Sequence, residues 1–236
     1  MKTIGKVQSL QYTLFRRKNC RNVTIRVIGD GSIRVSAPFR VSVRTIEQVI
    51  EKNLVKLKVT VENQQQQNLA YIHTWDNGDH FLFEGKPCLL SLQPSNEDSV
   101  DFENDIFKIC YCGNKPTKEE VCRELKELYR GYAKARLAVL VLQWAQTLSL
   151  DPPPFSVRDS LRRWGSCSAR GVLSFSLRSA SLDAEVLSYL VLHEMAHLVY
   201  FNHGREFHAL LGKYMPNWKM HQKHMFSLQR QSELTI

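Results

Sequence analysis

The sequence predicts an α+β fold with a β-rich N-terminal lobe over residues 1–115 and a second lobe over residues 116–236. In the first lobe, apolar and polar residues alternate in short segments separated by Gly, Asp and Asn, a pattern typical of β-hairpins. In the second lobe, apolar residues recur three and four positions apart, a pattern typical of helices. One run, residues 187–201, is apolar at nearly every position and carries a single formal charge, so we expect a buried helix there.

Three hairpins and one helix account for the first lobe. The strand pairs are predicted at residues 23–28 and 32–36, 81–83 and 88–92, and 100–102 and 106–109. The first pair turns at residues 29–31, whose sequence Gly-Asp-Gly favours a hairpin. Ser42 is placed to cap a helix that carries Ile46, Ile50 and Leu57 on one face. The sequence shows no internal repeat.

A long helix opens the second lobe. Thr117 and Glu120 have the spacing of a capping box, and three prolines after Asp151 end the helix. Strands are predicted at residues 155–158 and 172–177, and Ser181 is predicted to cap the buried helix. A short helix should carry Phe207, whereas residues from 216 onward are predicted to form a loosely held tail. Four histidines are expected at the surface: His73, His80, His221 and His224.

The buried helix carries the pattern H-E-x-x-H at His193, Glu194 and His197. Residues four apart lie on one face of a helix, one turn from each other, so the two imidazoles can bind one Zn²⁺. Glu194 lies about 100° round the helix from His193, where its carboxylate can take a proton from water at the metal. These residue types therefore indicate a metal site with Glu194 as the catalytic base.

The pattern has an alternative explanation, because five residues recur by chance: a core helix whose histidines bind backbone carbonyls and whose glutamate pairs with an arginine. A third histidine favours the metal. His203 lies ten residues after His193, between Asn202 and Gly204, which tolerate the positive φ of a chain that turns back. Tyr200 stands where metzincins have glycine, so a different turn of the chain must bring His203 to the metal. Three histidines that leave a fourth position for water are typical of catalytic zinc, here one ion per chain.

A longer set of residues resembles the YgjP-like metallohydrolases, relatives of the SprT-like zinc metalloproteases. The set comprises Arg-Trp-Gly-Ser-Cys-Ser at 163–168, Gly171, Arg178, the run 193–198, the run 202–204 and Phe207. The resemblance implies a zincin-like catalytic lobe in which the HExxH helix packs on a small sheet, with His193, His197 and His203 as zinc ligands. It also implies that the 163–168 loop lies beside the metal. The sequence departs from the family pattern at Val55, Ser176, Leu177 and His208, none of which is a proposed ligand.

Substrate contacts are predicted around that loop. Arg162, Arg163 and Arg178 flank it and can bind a phosphate or a carboxylate if they face the zinc; the alternative is a set of surface charges. Trp164 is either a further substrate contact beside the metal or a core aromatic under the turn at Gly165.

The positive charge of the chain is concentrated near its start. The formal net charge is +9, and residues 1–58 contain 13 Lys and Arg against 3 Asp and Glu. Such a field favours anionic partners, including nucleic acid and nucleotides, although a solvated basic surface has the same composition. No apolar run is long enough to span a membrane, the first residues lack a signal-peptide core, and the six cysteines include no C-x-x-C pair. We therefore expect a cytoplasmic protein with free thiols and no membrane contact.

The sequence leaves three functions open. The HExxH chemistry and the SprT-like kinship favour a zinc metallopeptidase with a peptide substrate. The YgjP-like resemblance also permits a nucleoside triphosphate pyrophosphohydrolase of the UTP type, whose substrate the basic lobe would suit. The third function is a nucleic-acid-associated module with a structural zinc, which would need Glu206 or His208 as a fourth ligand.

Overall fold

A computed structural model describes residues 2–18, 20–27, 31–70 and 73–229, together with residues 232 and 234. The described part contains six α-helices and three mixed sheets, which confirms the predicted α+β class. Contacts between residues divide the chain into two compact units, Met1–Ile72 and His73–Ile236. The division therefore lies earlier in the chain than the predicted one after residue 115. None of the described helices is long and apolar enough to cross a membrane.

The first unit is a four-stranded sheet with two helices. Its elements are β1 (Lys2–Val7), β2 (Leu10–Arg16), β3 (Thr24–Val27), β4 (Ile33–Ala37), α1 (Val43–Lys52) and α2 (Leu54–Ala70). The strand order is β1-β2-β4-β3, and β2 and β4 are parallel. The predicted first hairpin is confirmed as the antiparallel pair β3–β4. Residues 29 and 30 of its predicted turn lie outside the described residues.

The core of the first unit lies between one face of this sheet and α1. Ile46 and Ile50 of α1 are buried in the same cluster as Tyr12 of β2. Ser42 caps α1 as predicted, since its hydroxyl accepts a hydrogen bond from the backbone N–H of Thr45 at 3.1 Å. Strands β1 and β2 were not predicted, although in β2 the alternation of Leu10, Tyr12 and Leu14 with Gln11 and Thr13 is a strand signal.

The second unit begins with another four-stranded sheet. Its strands are β5 (His80–Phe83), β6 (Lys86–Pro94), β7 (Ser99–Glu103) and β8 (Ile106–Tyr111). The order is β5-β6-β8-β7 with β6 and β8 parallel, which is the arrangement of the first sheet repeated without a visible sequence repeat. Both predicted hairpins are confirmed. Their turns contain two successive residues with positive φ, Glu84–Gly85 and Asn104–Asp105, as two-residue hairpin turns require.

Helix α3 (Lys118–Leu148) packs on this sheet and explains why no boundary lies at residue 115. Thr117 and Glu120 form the predicted capping box at its start. The ring of Tyr129 lies 5.0 Å from the ring of Phe83, and its hydroxyl donates a hydrogen bond to the carbonyl oxygen of Leu82 at 2.6 Å. The β5–β8 sheet and α3 therefore share one core, which a division after residue 115 would cut.

A three-stranded sheet precedes the buried helix. Strands β9 (Phe155–Arg158), β10 (Gly165–Cys167) and β11 (Leu173–Ser176) lie in the order β10-β11-β9, so β10 is an edge strand. The two predicted strands, β9 and β11, are confirmed, and β10 lies within the segment expected to be a loop. Helix α4 (Ala184–Ala196) packs on β10.

The cap of α4 differs from the predicted one. The carboxylate of Asp183 accepts a hydrogen bond from the backbone N–H of Val186 at 2.8 Å, so Asp183 is the N-cap. Ser181, the predicted cap, belongs to the 3₁₀ turn Leu177–Ser181, where its hydroxyl donates to the carbonyl oxygen of Arg178 at 2.7 Å. The hydroxyl of Ser181 is therefore hydrogen-bonded within the 3₁₀ turn and does not cap α4.

Residues 218–227 form a helix, so the prediction of a loose tail from residue 216 onward is wrong for this part of it. Helix α5 (Arg205–Tyr214) contains Phe207 as predicted, and α6 (Trp218–Ser227) packs against α4. His221 and Met225 are buried on one face of α6, and the many polar residues on its other faces conceal this pattern. The side chain of His73 is 7 % exposed, and its ring stacks on that of Phe81 at 4.1 Å. Two of the four histidines expected at the surface therefore lie in the interior.

Candidate metal centre

The end of α4 and the chain that follows it bring three histidines together. His193 lies in the last turn of α4, His197 comes directly after the helix, and residues 197–199 form a turn. The ring of His203 faces both, at 5.1 Å from the centre of the His193 ring and 4.7 Å from that of His197. One nitrogen from each residue lies within 4.8 Å of the other two. The structure thus brings together the three residues that the sequence predicts as ligands.

The rings of His193 and His197 are each held in orientation by a contact of Nδ1, the nitrogen that is not needed for a metal. Nδ1 of His197 donates to the carbonyl oxygen of Tyr200 at 3.2 Å. Because a carbonyl can only accept, this Nδ1 carries the proton and Nε2 keeps a free lone pair. Nδ1 of His193 lies 3.2 Å from the hydroxyl of Tyr189, one turn earlier in α4. Partners of this kind hold imidazole rings in position for a metal.

The donor set fits a zinc ion. Burial lowers the pKa of His193 to about 4, and the neighbouring histidines contribute to this shift, so the imidazole is neutral and able to bind a metal at neutral pH. Nε2 of His203 lies 3.2 Å from Nε2 of His193, and converging lone pairs repel each other unless a cation or a proton lies between them. Among the described residues, no fourth His, Cys, Asp or Glu joins the group. An open fourth position is typical of catalytic zinc sites.

Glu194 lies beside the three histidines and is 6 % exposed. It faces Gly165 of β10, where a Cβ would lie only 2.7 Å from Cγ and Oε1 of Glu194. Glycine at this position therefore permits the close approach of β10 to α4. Burial raises the pKa of Glu194 to about 7, against the lowering effect of the nearby Arg163 charge. A carboxyl group with such a pKa can accept and return a proton near neutral pH.

The histidines and Glu194 open into a cleft of about 340 Å³. The segment 165–169, which includes β10, forms one wall, and Arg163 and Phe201 complete the lining. Phe201 is 73 % exposed, so an aromatic surface faces solvent beside the three histidines. Arg163 is also exposed. The cleft thus offers one cationic and one aromatic group to a substrate.

Of the four residues predicted to bind substrate, all of which are described, Arg163 alone lines the cleft. Arg162 is exposed but is not part of the cleft wall. Trp164 is 5 % exposed and packs in the core of the second unit, in agreement with the second sequence interpretation.

Arg178 is buried, so neither sequence interpretation of this residue, as a substrate contact or as a surface charge, describes its position. It is 1 % exposed, and its guanidinium carbon lies 4.6 Å from the centre of the Trp164 ring. The guanidinium donates hydrogen bonds to the carbonyl oxygens of Ser160 (3.1 Å), Leu161 (3.0 Å) and Gln229 (3.0 Å). Arg178 thus joins the segment before β10 to the segment after α6.

The contacts of Tyr189, Tyr200 and Phe201 with the site were not predicted. Tyr189 precedes His193 by four residues, a helical spacing that the sequence does contain. The contribution of Tyr200 is a backbone carbonyl, for which a side-chain pattern carries no signal. His208 lies outside the ligand set, since its ring stacks on Trp218 at 5.0 Å.

The family of the chain follows from a match over most of its length. The YgjP-like, metallopeptidase domain family matches residues 21–227. The chain belongs to this family. It is accordingly a metal-dependent hydrolase of the peptidase type. Among solved structures, this YgjP-like protein is similar to the crystal structure of the metallopeptidase zymogen jannalysin of Methanocaldococcus jannaschii, with 19 % identity and a TM-score of 0.36 over 39 % of this chain and 94 % of that chain. A search of curated proteins returns no match.

Proposed function

We propose that this YgjP-like protein is a zinc metallopeptidase in which His193, His197 and His203 hold one zinc ion and Glu194 is the catalytic base. The convergence of three imidazoles beside a buried carboxylate carries the proposal. When bound there, zinc supplies a Lewis acid that polarises a substrate carbonyl and acidifies water. Glu194 takes a proton from the attacking water and returns it to the leaving amine.

The position of β10 supports a peptide as the substrate. This strand pairs with β11 on one side only, and its residues line the cleft. An edge strand presents unpaired backbone N–H and C=O groups, to which an extended peptide can add as a further strand. Such pairing would hold the peptide along the cleft beside Glu194, which lies against Gly165 of the same strand.

Arg163 and Phe201 provide the side-chain contacts to this peptide. The guanidinium of Arg163 lies close enough to Glu194 to lower its pKa, and it can bind a substrate carboxylate near the reacting bond. The exposed ring of Phe201 provides an apolar surface for a substrate side chain on the same cleft.

The two alternative functions have less support in the site. A triphosphate is usually held by several cationic side chains together with a metal ion, yet Arg163 is the one Lys or Arg in the described lining of the cleft. A structural zinc requires a closed ligand set. His208 is stacked on Trp218 instead, and Glu206 does not join the described ligand group.

The test is an assay of the zinc-loaded protein against fluorogenic peptides and, in parallel, nucleoside triphosphates. We expect peptide cleavage that falls by ~10² or more in Glu194→Gln, with zinc content unchanged, because the substitution keeps the shape and removes the base. Glu185→Gln is the matched control, because Glu185 lies in the first turn of the same helix with its side chain 79 % exposed. Undiminished cleavage by Glu194→Gln, or hydrolysis of triphosphates alone, would contradict the proposal.

A further inference from the structure

The positive charge of the chain belongs to its first unit. Residues 1–72 contain 13 Lys and Arg against 4 Asp and Glu, whereas residues 73–236 contain 19 of each. A local excess of one sign attracts molecules of the opposite sign and raises their rate of association. Part of this excess lies in an ordered arrangement on the β1–β4 sheet.

This sheet has one covered face and one open face. Tyr12, Leu14 and Val35 point into the core and are buried, and the residues that alternate with them point the other way. Strand pairing places the latter in rows: Ile4, Thr13, Arg34 and Arg26 form one row, and Phe15, Ser36 and Thr24 form the next. None of these residues is acidic. The open face therefore combines positive charge with apolar and hydroxyl groups.

Arg26 on β3 and Arg34 on β4 are direct cross-strand partners on this face. Like charges in opposite positions destabilise a strand pair. Both side chains are exposed, and within the described ranges neither takes part in an ion pair. Two adjacent guanidinium groups without a counter-charge can each bind a phosphate through two N–H donors.

Apolar surface lies next to the arginine pair. The guanidinium carbon of Arg34 lies 4.9 Å from the centre of the Phe15 ring, and Ile4 in the same row as Arg34 is 70 % exposed. Nucleic-acid bases stack on aromatic rings and on arginine side chains, and open four-stranded sheets bind single strands in this way. A small anion would use only the charges of this face, whereas a single strand would use its apolar surface as well.

We propose that the open face of the β1–β4 sheet binds single-stranded nucleic acid. Arg26 and Arg34 contact phosphates, while Phe15 and Ile4 contact bases. The row from Ile4 to Arg26 crosses four strands, about 14 Å at the usual strand separation, which is long enough to meet more than one phosphate. This activity goes beyond the peptidase function and does not depend on it.

The test measures the affinity of the full chain for a fluorescent oligouridine by anisotropy at several salt concentrations. In Arg26→Gln/Arg34→Gln we expect at least a ~10-fold loss of affinity and a log–log salt slope smaller by about 1.4, because two phosphate contacts of a single strand contribute ~0.7 each. The control is Arg40→Gln/Arg44→Gln, which removes the same charge from exposed positions of the same unit outside the sheet face. The control variant should retain most of the affinity and the salt slope.

Phe15→Leu separates stacking from charge. It should weaken binding roughly 5- to 100-fold while leaving the salt slope unchanged, since it removes a stacking ring and no phosphate contact. Thermal unfolding checks folding, and loss of the like-charged pair should leave the melting temperature of Arg26→Gln/Arg34→Gln unchanged or higher. Equal losses in both double variants, no binding at low salt, or capture by anionic phospholipid vesicles in place of oligouridine would each overturn the proposal.

Discussion

The hydroxyl of Tyr189 lies 3.2 Å from Nδ1 of His193, one turn further along α4. Tyr189 is fully buried, and burial raises its pKa to about 12, so the phenol stays neutral at physiological pH. A hydrogen bond from Gln222 of α6 has the opposite, smaller effect on this pKa. The phenol therefore connects the orientation of one predicted ligand to the packing of α4 and α6.

Tyr189→Phe should weaken zinc binding by about 10- to 100-fold, because His193 loses the partner that orients its ring. The measurement is the zinc dissociation constant, obtained by competition with a chelator. Tyr129→Phe is the control, because Tyr129 is also fully buried but its hydroxyl bonds to Leu82, in the β5–β8 sheet. The control should lower stability and leave zinc affinity unchanged; unchanged affinity in Tyr189→Phe as well would show that the phenol does not position the ligand.

His203→Ala should lose the bound zinc, whereas His208→Ala should keep it. The two residues lie five positions apart, but only the His203 ring faces His193 and His197, while the His208 ring stacks on Trp218. Elemental analysis of each purified variant gives the zinc content per chain, for which we expect one ion in the parent protein. Retention of a full equivalent of zinc by His203→Ala would remove His203 from the ligand set.

Gly165→Ala should reduce both stability and activity. The new Cβ would lie 2.7 Å from Glu194, so β10 or the carboxylate must move, at a cost of about 1–3 kcal/mol. Gly131→Ala is the matched control, since nothing lies within 4 Å of a Cβ at this position of α3, and it should stabilise the protein by about 0.5–1 kcal/mol. Chemical denaturation and peptide turnover measure the two effects. A Gly165→Ala variant with the stability and turnover of the parent would show that Glu194 does not need this close approach.

Protonation of Asp79 should make the second unit less stable in acid. Burial alone would raise the pKa of Asp79. Hydrogen bonds from the backbone N–H groups of Trp75 and His80, together with the nearby His73 ring, outweigh this effect and hold the pKa below its usual value. A group whose pKa is lower in the folded state stabilises the protein above its unfolded pKa of about 3.9. This contribution is lost as the pH falls through the folded pKa.

Asp79→Asn should therefore destabilise the protein by about 1–3 kcal/mol at pH 7, and the difference from the parent should shrink below pH ~4. The measurement is the free energy of unfolding in urea at a series of pH values. Glu97→Gln, at an exposed loop position, is the control and should match the parent throughout. A difference that persists unchanged into acid would mean that the ionised form of Asp79 is not what stabilises this loop.

Much of the fold follows from local signals in the sequence. The capping box at Thr117 and the turns at Glu84–Gly85 and Asn104–Asp105 act within a few residues, and these elements form where the sequence predicts them. Contacts between distant segments have no such signal. The packing of Tyr129 on Phe83, which places the unit boundary before β5, joins positions 46 residues apart.

The same distinction applies to the site. The spacing of His193 and His197 follows from the helical period, and the turn residues around His203 indicate a returning chain. The closeness of Gly165 to Glu194 depends on how β10 packs on α4, which residue types alone do not determine. Arginines in a motif are equally ambiguous, because the same side chain can bind a substrate or hold backbone carbonyls.

Arg163 and Arg178 should therefore respond differently to substitution. Arg178→Met removes a buried guanidinium that holds three carbonyl oxygens, so it should lower the free energy of unfolding by about 3 kcal/mol or more. Arg163→Gln changes an exposed group of the cleft, so stability should hold while KM rises for peptides that carry a carboxylate near the cleaved bond. The measurements are denaturant unfolding and steady-state kinetics at a temperature where both variants are folded. If Arg178→Met instead raised KM at the stability of the parent, Arg178 would be the substrate contact and its buried hydrogen bonds would be incidental.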